Sequence, residues 1–110
     1  MSDFFSDDEK RAIASVVSAI AYADGSIATR EMDYLGRIKF GLDIPDEMYE
    51  EGLAMEPTDS FAMISAMDPE KKERVGEILM RMAYADGELH PTEYQIVVGV
   101  ALRCGIEFGG

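Results

Sequence analysis

The sequence predicts an all-α protein, a compact six-helix bundle built on two repeated helical hairpins. Two observations carry that expectation. Shifting the chain by 62 positions (Asp86 minus Asp24) superimposes residues 10–44 on residues 72–106 without a gap, and Ala21-Tyr22-Ala23-Asp24-Gly25 recurs identically as Ala83-Tyr84-Ala85-Asp86-Gly87. Around this identity, Ile13, Val16, Val17, Ile20, Ile27, Leu35 and Ile38 meet Val75, Ile78, Leu79, Met82, Leu89, Val97 and Val100, so the apolar frame repeats at helical spacing. Two copies are too few for a solenoid and read as a duplicated motif inside one globule. At 110 residues and 12.2 kDa the chain suits a single domain, 1–110, with hairpin repeats at 6–44 and 68–106 and linker helices within 45–67.

Each copy reads as helix, tight turn, helix. Ser6 followed by Glu9 forms a capping box at the start of the first helix, and Ile13, Val16, Val17 and Ile20 then line one face. The matching helix opens with Asp68 as N-cap and Pro69 at the first helical position, where a missing N–H costs nothing. Both leading helices run to the shared Asp-Gly, where Gly25 and Gly87 suit the positive φ that reverses a chain. The trailing helices begin near Thr29 and Pro91 and end near Asp43 and Gly105, each followed by an isoleucine placed to fold back on the last turn. The stretch YQIVVGVAL, residues 94–102, has the composition of a strand, but its counterpart MDYLGRIKF carries apolar residues at helical spacing. The nearly all-apolar last helix is therefore expected at the centre of the bundle. Between the copies, two short helices are expected at 46–55 and 58–67. The methionines there and beyond read mainly as core filler, or else as an adaptable groove.

Composition narrows the function. Twenty-two acidic against ten basic residues give a net charge of −12, and no basic residue lies between Lys39 and Lys71. Nucleic acid is an unsuitable ligand for such a chain, because its binding relies on Lys and Arg neutralising phosphates. Cations or basic proteins suit it better, though an acidic face that only keeps the protein in solution explains the charge as well. No stretch approaches the length of a membrane span and the first residues show no secretory leader, so a cytoplasmic protein without direct membrane insertion is expected. The single cysteine, Cys104, rules out an internal disulfide and reads as a buried small residue. No histidine-bearing triad, phosphate loop, HExxH or CxxC motif is present, so no enzyme activity is expected.

The two turns hold the candidate site. Aligned with a calcium-binding EF-hand loop, Asp24 falls at position 5, Gly25 at 6, Ile27 at 8 and Glu31 at 12, and Asp86, Gly87, Leu89 and Glu93 repeat the pattern. Positions 1 and 3 are Ile20 and Tyr22 in one copy and Met82 and Tyr84 in the other, so each loop offers half of a ligand set. Two readings stay open. In one, Asp24 and Asp86 accept N–H bonds within their own turns, and Glu31 and Glu93 complement the dipoles of the helices they open, by about 0.3–1 kcal/mol each. In the other, both turns meet, and Asp24, Glu31, Asp86 and Glu93, with Glu88 and a tyrosine hydroxyl as further donors, share one calcium or magnesium ion. Two carboxylates ~4 Å apart repel by about 4 kcal/mol at an effective dielectric constant of 20, so gathered acids call for a cation, raised pKa values or distance. Tyr22 and Tyr84 read as packing residues, and His90 as a turn residue.

At AYADGSIATRE (21–31) and AYADGELHPTE (83–93) the chain resembles the TerB family, named for bacterial tellurite resistance and found as a TerB-like module in some membrane-anchored J-domain co-chaperones. The resemblance spans nearly the whole chain. It implies an all-α fold whose acidic positions, here Asp24, Glu31, Asp86 and Glu93, bind metal or form an interaction surface. Ala28 and His90 stand where the family commonly has Ser or another capping residue. With no J-domain or anchor in these residues, the co-chaperone role is not expected to transfer. The resemblance implies a non-enzymatic stress or tellurite-resistance type of function, with an acidic surface that holds a divalent cation. The alternative is an acidic adaptor that binds a basic or amphipathic protein partner without metal. The apolar last helix is as compatible with a homodimer face as with a core element.

Overall fold

The computed structural model describes residues 4–21, 29–83 and 91–106, with side chains described for 4–20, 34–81 and 94–106. The described residues form six helices: α1 (Asp7–Ala21), α2 (Thr29–Gly41), α3 (Asp46–Leu53), α4 (Pro57–Ser65), α5 (Pro69–Ala83) and α6 (Pro91–Arg103). The predicted capping box is formed in both directions. The Ser6 amide donates to Glu9 Oε1 at 2.8 Å and the Glu9 amide to Ser6 Oγ at 3.2 Å, which gives two otherwise unpaired donors at the start of α1 a partner.

Both trailing helices stop in the same way. Asp43 and Gly105 adopt left-handed backbone, with φ of 55° and 69°. The amide of Ile44 then reaches back to Lys39 at 2.8 Å and that of Ile106 to Ala101 at 2.8 Å, while Asp43 and Gly105 bond to Phe40 and Leu102. These are Schellman ends, and Ile44 and Ile106, both buried, supply the apolar contact that goes with them. The lysines of the repeat serve the same two ends: Lys10 Nζ donates to the Asp43 carbonyl at 3.3 Å, and a Cβ placed on Gly105 would lie 3.4 Å from Lys72 Nζ. A cation at a helix C-terminus complements its dipole.

The central helix is α1, and this corrects the expectation that the apolar α6 would be central. Ala12, Ile13, Ala14, Val16, Val17 and Ile20 of α1 are all buried, and α1 packs against α2, α3, α4, α5 and α6. Among its described side chains helix α6 buries Val97 and Ala101, with Cys104 just beyond its end, and leaves Leu102 74% exposed. The reason is steric. The small residues Ala12 and Ala14 let neighbours approach α1 closely from several sides, whereas apolar composition alone does not tell a surrounded helix from one packed on a single stripe. The middle helices also differ slightly from expectation. Extended backbone at Glu56 and Pro57 at the helix start bring α4 in one residue earlier, and Ala54 and Ala66 cap α3 and α4 two residues before the predicted ends.

Helix α3 meets α1 at Gly52, where a Cβ would fall 2.5 Å from the Arg11 carbonyl oxygen and 2.9 Å from Ala14 Cβ. Polar contacts surround this approach. Ser18 and Tyr49 hydroxyls pair at 2.6 Å, Lys39 Nζ lies 4.7 Å from the centre of the Tyr49 ring, and Lys39 also bonds Asp46 at 2.6 Å. On the other side, fully buried Ser60 donates to Ser15 Oγ at 2.8 Å and so ties α4 to α1. Met67 lies in the core, and Met55 and Met63 pack against it, which agrees with the reading of these methionines as filler.

One ion pair joins the two copies at equivalent positions, since Lys71 is residue 9 shifted by 62: Lys71 Nζ donates to Glu9 Oε1 at 2.8 Å. The two copies therefore meet at the first turns of α1 and α5. Burial alone would raise the Glu9 pKa, but hydrogen bonds from Lys71 and from the Ser6 amide outweigh it and hold the carboxyl below its usual range.

Three substitutions test this packing and the ion pair. Gly52→Ala is expected to destabilise by about 1–2 kcal/mol in thermal or urea unfolding, because the overpacking cost exceeds the gain in helix propensity. Gly36→Ala, whose Cβ meets nothing within 4 Å, is expected to stabilise by up to about 1 kcal/mol. Glu9→Gln keeps the cap and removes the charge, and is expected to cost about 1 kcal/mol at pH 7. The folded-state pKa of Glu9 is depressed, so its contribution is complete above the unfolded value of about 4.3 and lost as pH falls through the folded value. Wild-type and Glu9→Gln melting temperatures are therefore expected to converge only in acid, once the pH falls below the depressed folded-state pKa of Glu9.

Candidate functional site

Seven residues, 22–28, join α1 to α2, and seven, 84–90, join α5 to α6, so the two connections match in length as well as in sequence. Asp24, Asp86 and Glu88 lie on these connections, outside the described residues, as do Tyr22, Tyr84 and His90. Glu31 and Glu93 are each the third residue of their helix, α2 and α6, and their side chains lie outside those described. At that position a carboxylate faces the positive end of a helix dipole. Among the described residues, no three of His, Cys, Asp and Glu gather closely enough to hold a metal ion. A cation site in this chain would thus draw on the turns themselves. The donor set there is oxygen-rich and free of thiolates, which fits calcium or magnesium and not a soft metal.

Two surfaces of opposite charge stand out among the described residues. On α3 and α4, Glu47, Glu50, Glu51, Glu56 and Asp59 are exposed, beside Leu53, itself 49% exposed. Opposite in character is a cleft between α2 and α5 of about 270 Å3, lined among the described residues by Tyr34, Arg37, Ile38, Gly41, Leu42, Arg74, Glu77, Ile78 and Arg81. The Tyr34 hydroxyl donates to the Ile78 carbonyl at 3.1 Å and so holds the two helices together at the cleft floor. Burial raises the Tyr34 pKa, and the Arg81 guanidinium pulls it the other way. Sequence reasoning did not single out this cleft. Its signal was the spacing of Tyr34, Arg37, Ile38 and Gly41 on one helix face and of Arg74, Glu77, Ile78 and Arg81 on another. That spacing acquires meaning only once α2 and α5 are known to be neighbours.

Cys104 is fully buried, and burial pushes its thiol up to about 11, so it is not a reactive nucleophile. Among the described residues, no helix is long and apolar enough to cross a membrane.

The family model described as tellurite resistance protein TerB matches residues 54–107, a span that holds α4 and the whole second hairpin. A crystal structure of a protein of unknown function from Porphyromonas gingivalis W83 superposes with a TM-score of 0.84 at 27% sequence identity, covering 96% of this chain and 89% of that one. A comparison with curated proteins returns no match. The matched span takes in the second Asp-Gly turn and just under half of the chain, and the described residues around it are all-α: over residues 54–107 the chain is similar to the TerB family.

Proposed function

We propose that residues 1–110 act as one non-enzymatic TerB-like domain of the stress or tellurite-resistance type, and that its two Asp-Gly turns together hold a divalent cation. The observation that supports this most is the duplication of the acidic turn. Two connections of equal length each carry an aspartate before glycine and a glutamate seven residues later, between helices with matching ends. A turn needs the Asp-Gly to reverse the chain, but the glutamates are not needed for that, and retaining both oxygen donors in both copies favours a shared ligand. Asp24, Glu31, Asp86 and Glu93 are the proposed ligands, with Glu88 as a fifth carboxylate. Calcium takes six to eight oxygens, so neither turn suffices alone and each needs the other or water.

The exposed carboxylates of α3 and α4 favour a second reading, in which the domain is an adaptor presenting this acidic face to a basic or amphipathic protein segment without metal. Thermal unfolding separates the two. With calcium or magnesium in excess, the wild type is expected to melt several degrees higher than in EDTA, since a ligand that binds only the folded state raises its stability. Asp24→Asn with Asp86→Asn is expected to abolish that shift. A wild-type melting temperature that is the same in calcium, magnesium and EDTA would remove the cation site and leave the adaptor.

A further inference from the structure

We propose that the cleft between α2 and α5 is a binding site for a small anionic amphiphile, an alkyl chain ended by a phosphate monoester. The charge of the cleft is the first argument. In a chain of net charge −12, the described lining holds Arg37, Arg74 and Arg81 against Glu77 alone, a net of two positive charges that matches a phosphate dianion. Arginine is suited to this role, because its planar guanidinium bonds phosphate oxygens in pairs and is weakly hydrated.

The apolar part of the ligand has its own place. Ile38, Leu42 and Ile78 lie between the arginines, and Gly41 opens the wall, since a Cβ there would meet nothing within 4 Å. Beyond Gly41, Leu42, Arg74 and Glu77, which it shares with the first, a second void of about 440 Å3 continues to Phe4 and Phe5, whose rings meet edge to face at 4.9 Å. The two voids together are of the size that small-molecule sites occupy. Glu70 and Glu73 rim the second void. They repel an anionic head from that end, so the ligand lies with its phosphate near Arg37 and Arg81 and its tail toward the phenylalanines. From Arg81 to Arg74, α5 rises about 10 Å, roughly the length of an eight-carbon chain.

Isothermal titration and amide-resolved NMR of the full chain with octyl phosphate, below its micelle concentration, test the proposal. Saturable one-to-one binding is expected, with shifts confined to α2, α5 and residues 4–5. Arg37→Gln with Arg81→Gln is expected to weaken binding at least tenfold while leaving the melting temperature near that of the wild type. Gly41→Leu is expected to block the tail with no change of charge. Inorganic phosphate and octyltrimethylammonium are expected to bind at least tenfold more weakly than octyl phosphate. Any of four results would overturn the proposal: no saturation by 1 mM octyl phosphate, equal affinity for octyltrimethylammonium, equal affinity for inorganic phosphate, or unchanged binding in the arginine double variant.

Discussion

Helix α1 is surrounded by the other five, and much of the architecture follows from what that requires. A helix buried on several sides must bring its neighbours close, and the alanines of α1 together with Gly52 on α3 allow backbones to approach where larger residues would not fit. It must also give its few polar groups partners. Ser15 and Ser18 find Ser60 and Tyr49, and the buried stem of Lys10 carries its ammonium to a carbonyl at the end of α2. The middle segment, which belongs to neither copy of the repeat, supplies the two helices that cover α1 on the side left open by the second hairpin. The duplication alone would leave that side bare.

Much of this was written locally and was legible there. The Ser6–Glu9 box, Pro69 and the isoleucines after Asp43 and Gly105 each specify a helix end through residues at most five apart, and each is found as the residues imply. The offset of 62 also paired Lys10 with Lys72, a correspondence whose purpose, service to two helix ends, appears only in three dimensions. What the sequence did not reveal was nonlocal. Apolar content suggested α6 as the central helix, yet Leu102 on it is exposed, because hydrophobicity records a preference for burial and not how many neighbours are available to satisfy it. The arginine cleft was hidden for a similar reason: Arg37 and Arg81 belong to different copies and line one cleft across a boundary that no pattern within either helix marks. The acidic residues singled out in the turns, Asp24, Asp86 and Glu88, were found from spacing alone, and their geometry lies outside the described residues.

The charge of the molecule is thus divided between regions with different chemistry. Carboxylates crowd α3 and α4 and recur in the sequence of the two turns, while Arg37, Arg74 and Arg81 line one cleft with apolar residues. An ion pair between equivalent positions of the copies, Glu9 with Lys71, stands at the start of the two leading helices and joins them. The second copy departs from the first where it faces a different environment. Glycine replaces aspartate at the helix end near Lys72, and cysteine replaces leucine one residue before it. The proposed shared cation accounts for a duplicated hairpin that keeps its acidic turns through such divergence.

Paramagnetic relaxation by manganese tests that shared use most directly, because the ion broadens only nearby amide signals and reports both turns in one experiment. With up to one equivalent of manganese, signals from residues 22–31 and 84–93 are expected to broaden together and to recover on adding excess magnesium or calcium. Broadening of one turn without the other, or none that saturates, would contradict the claim that the two bends form a single site.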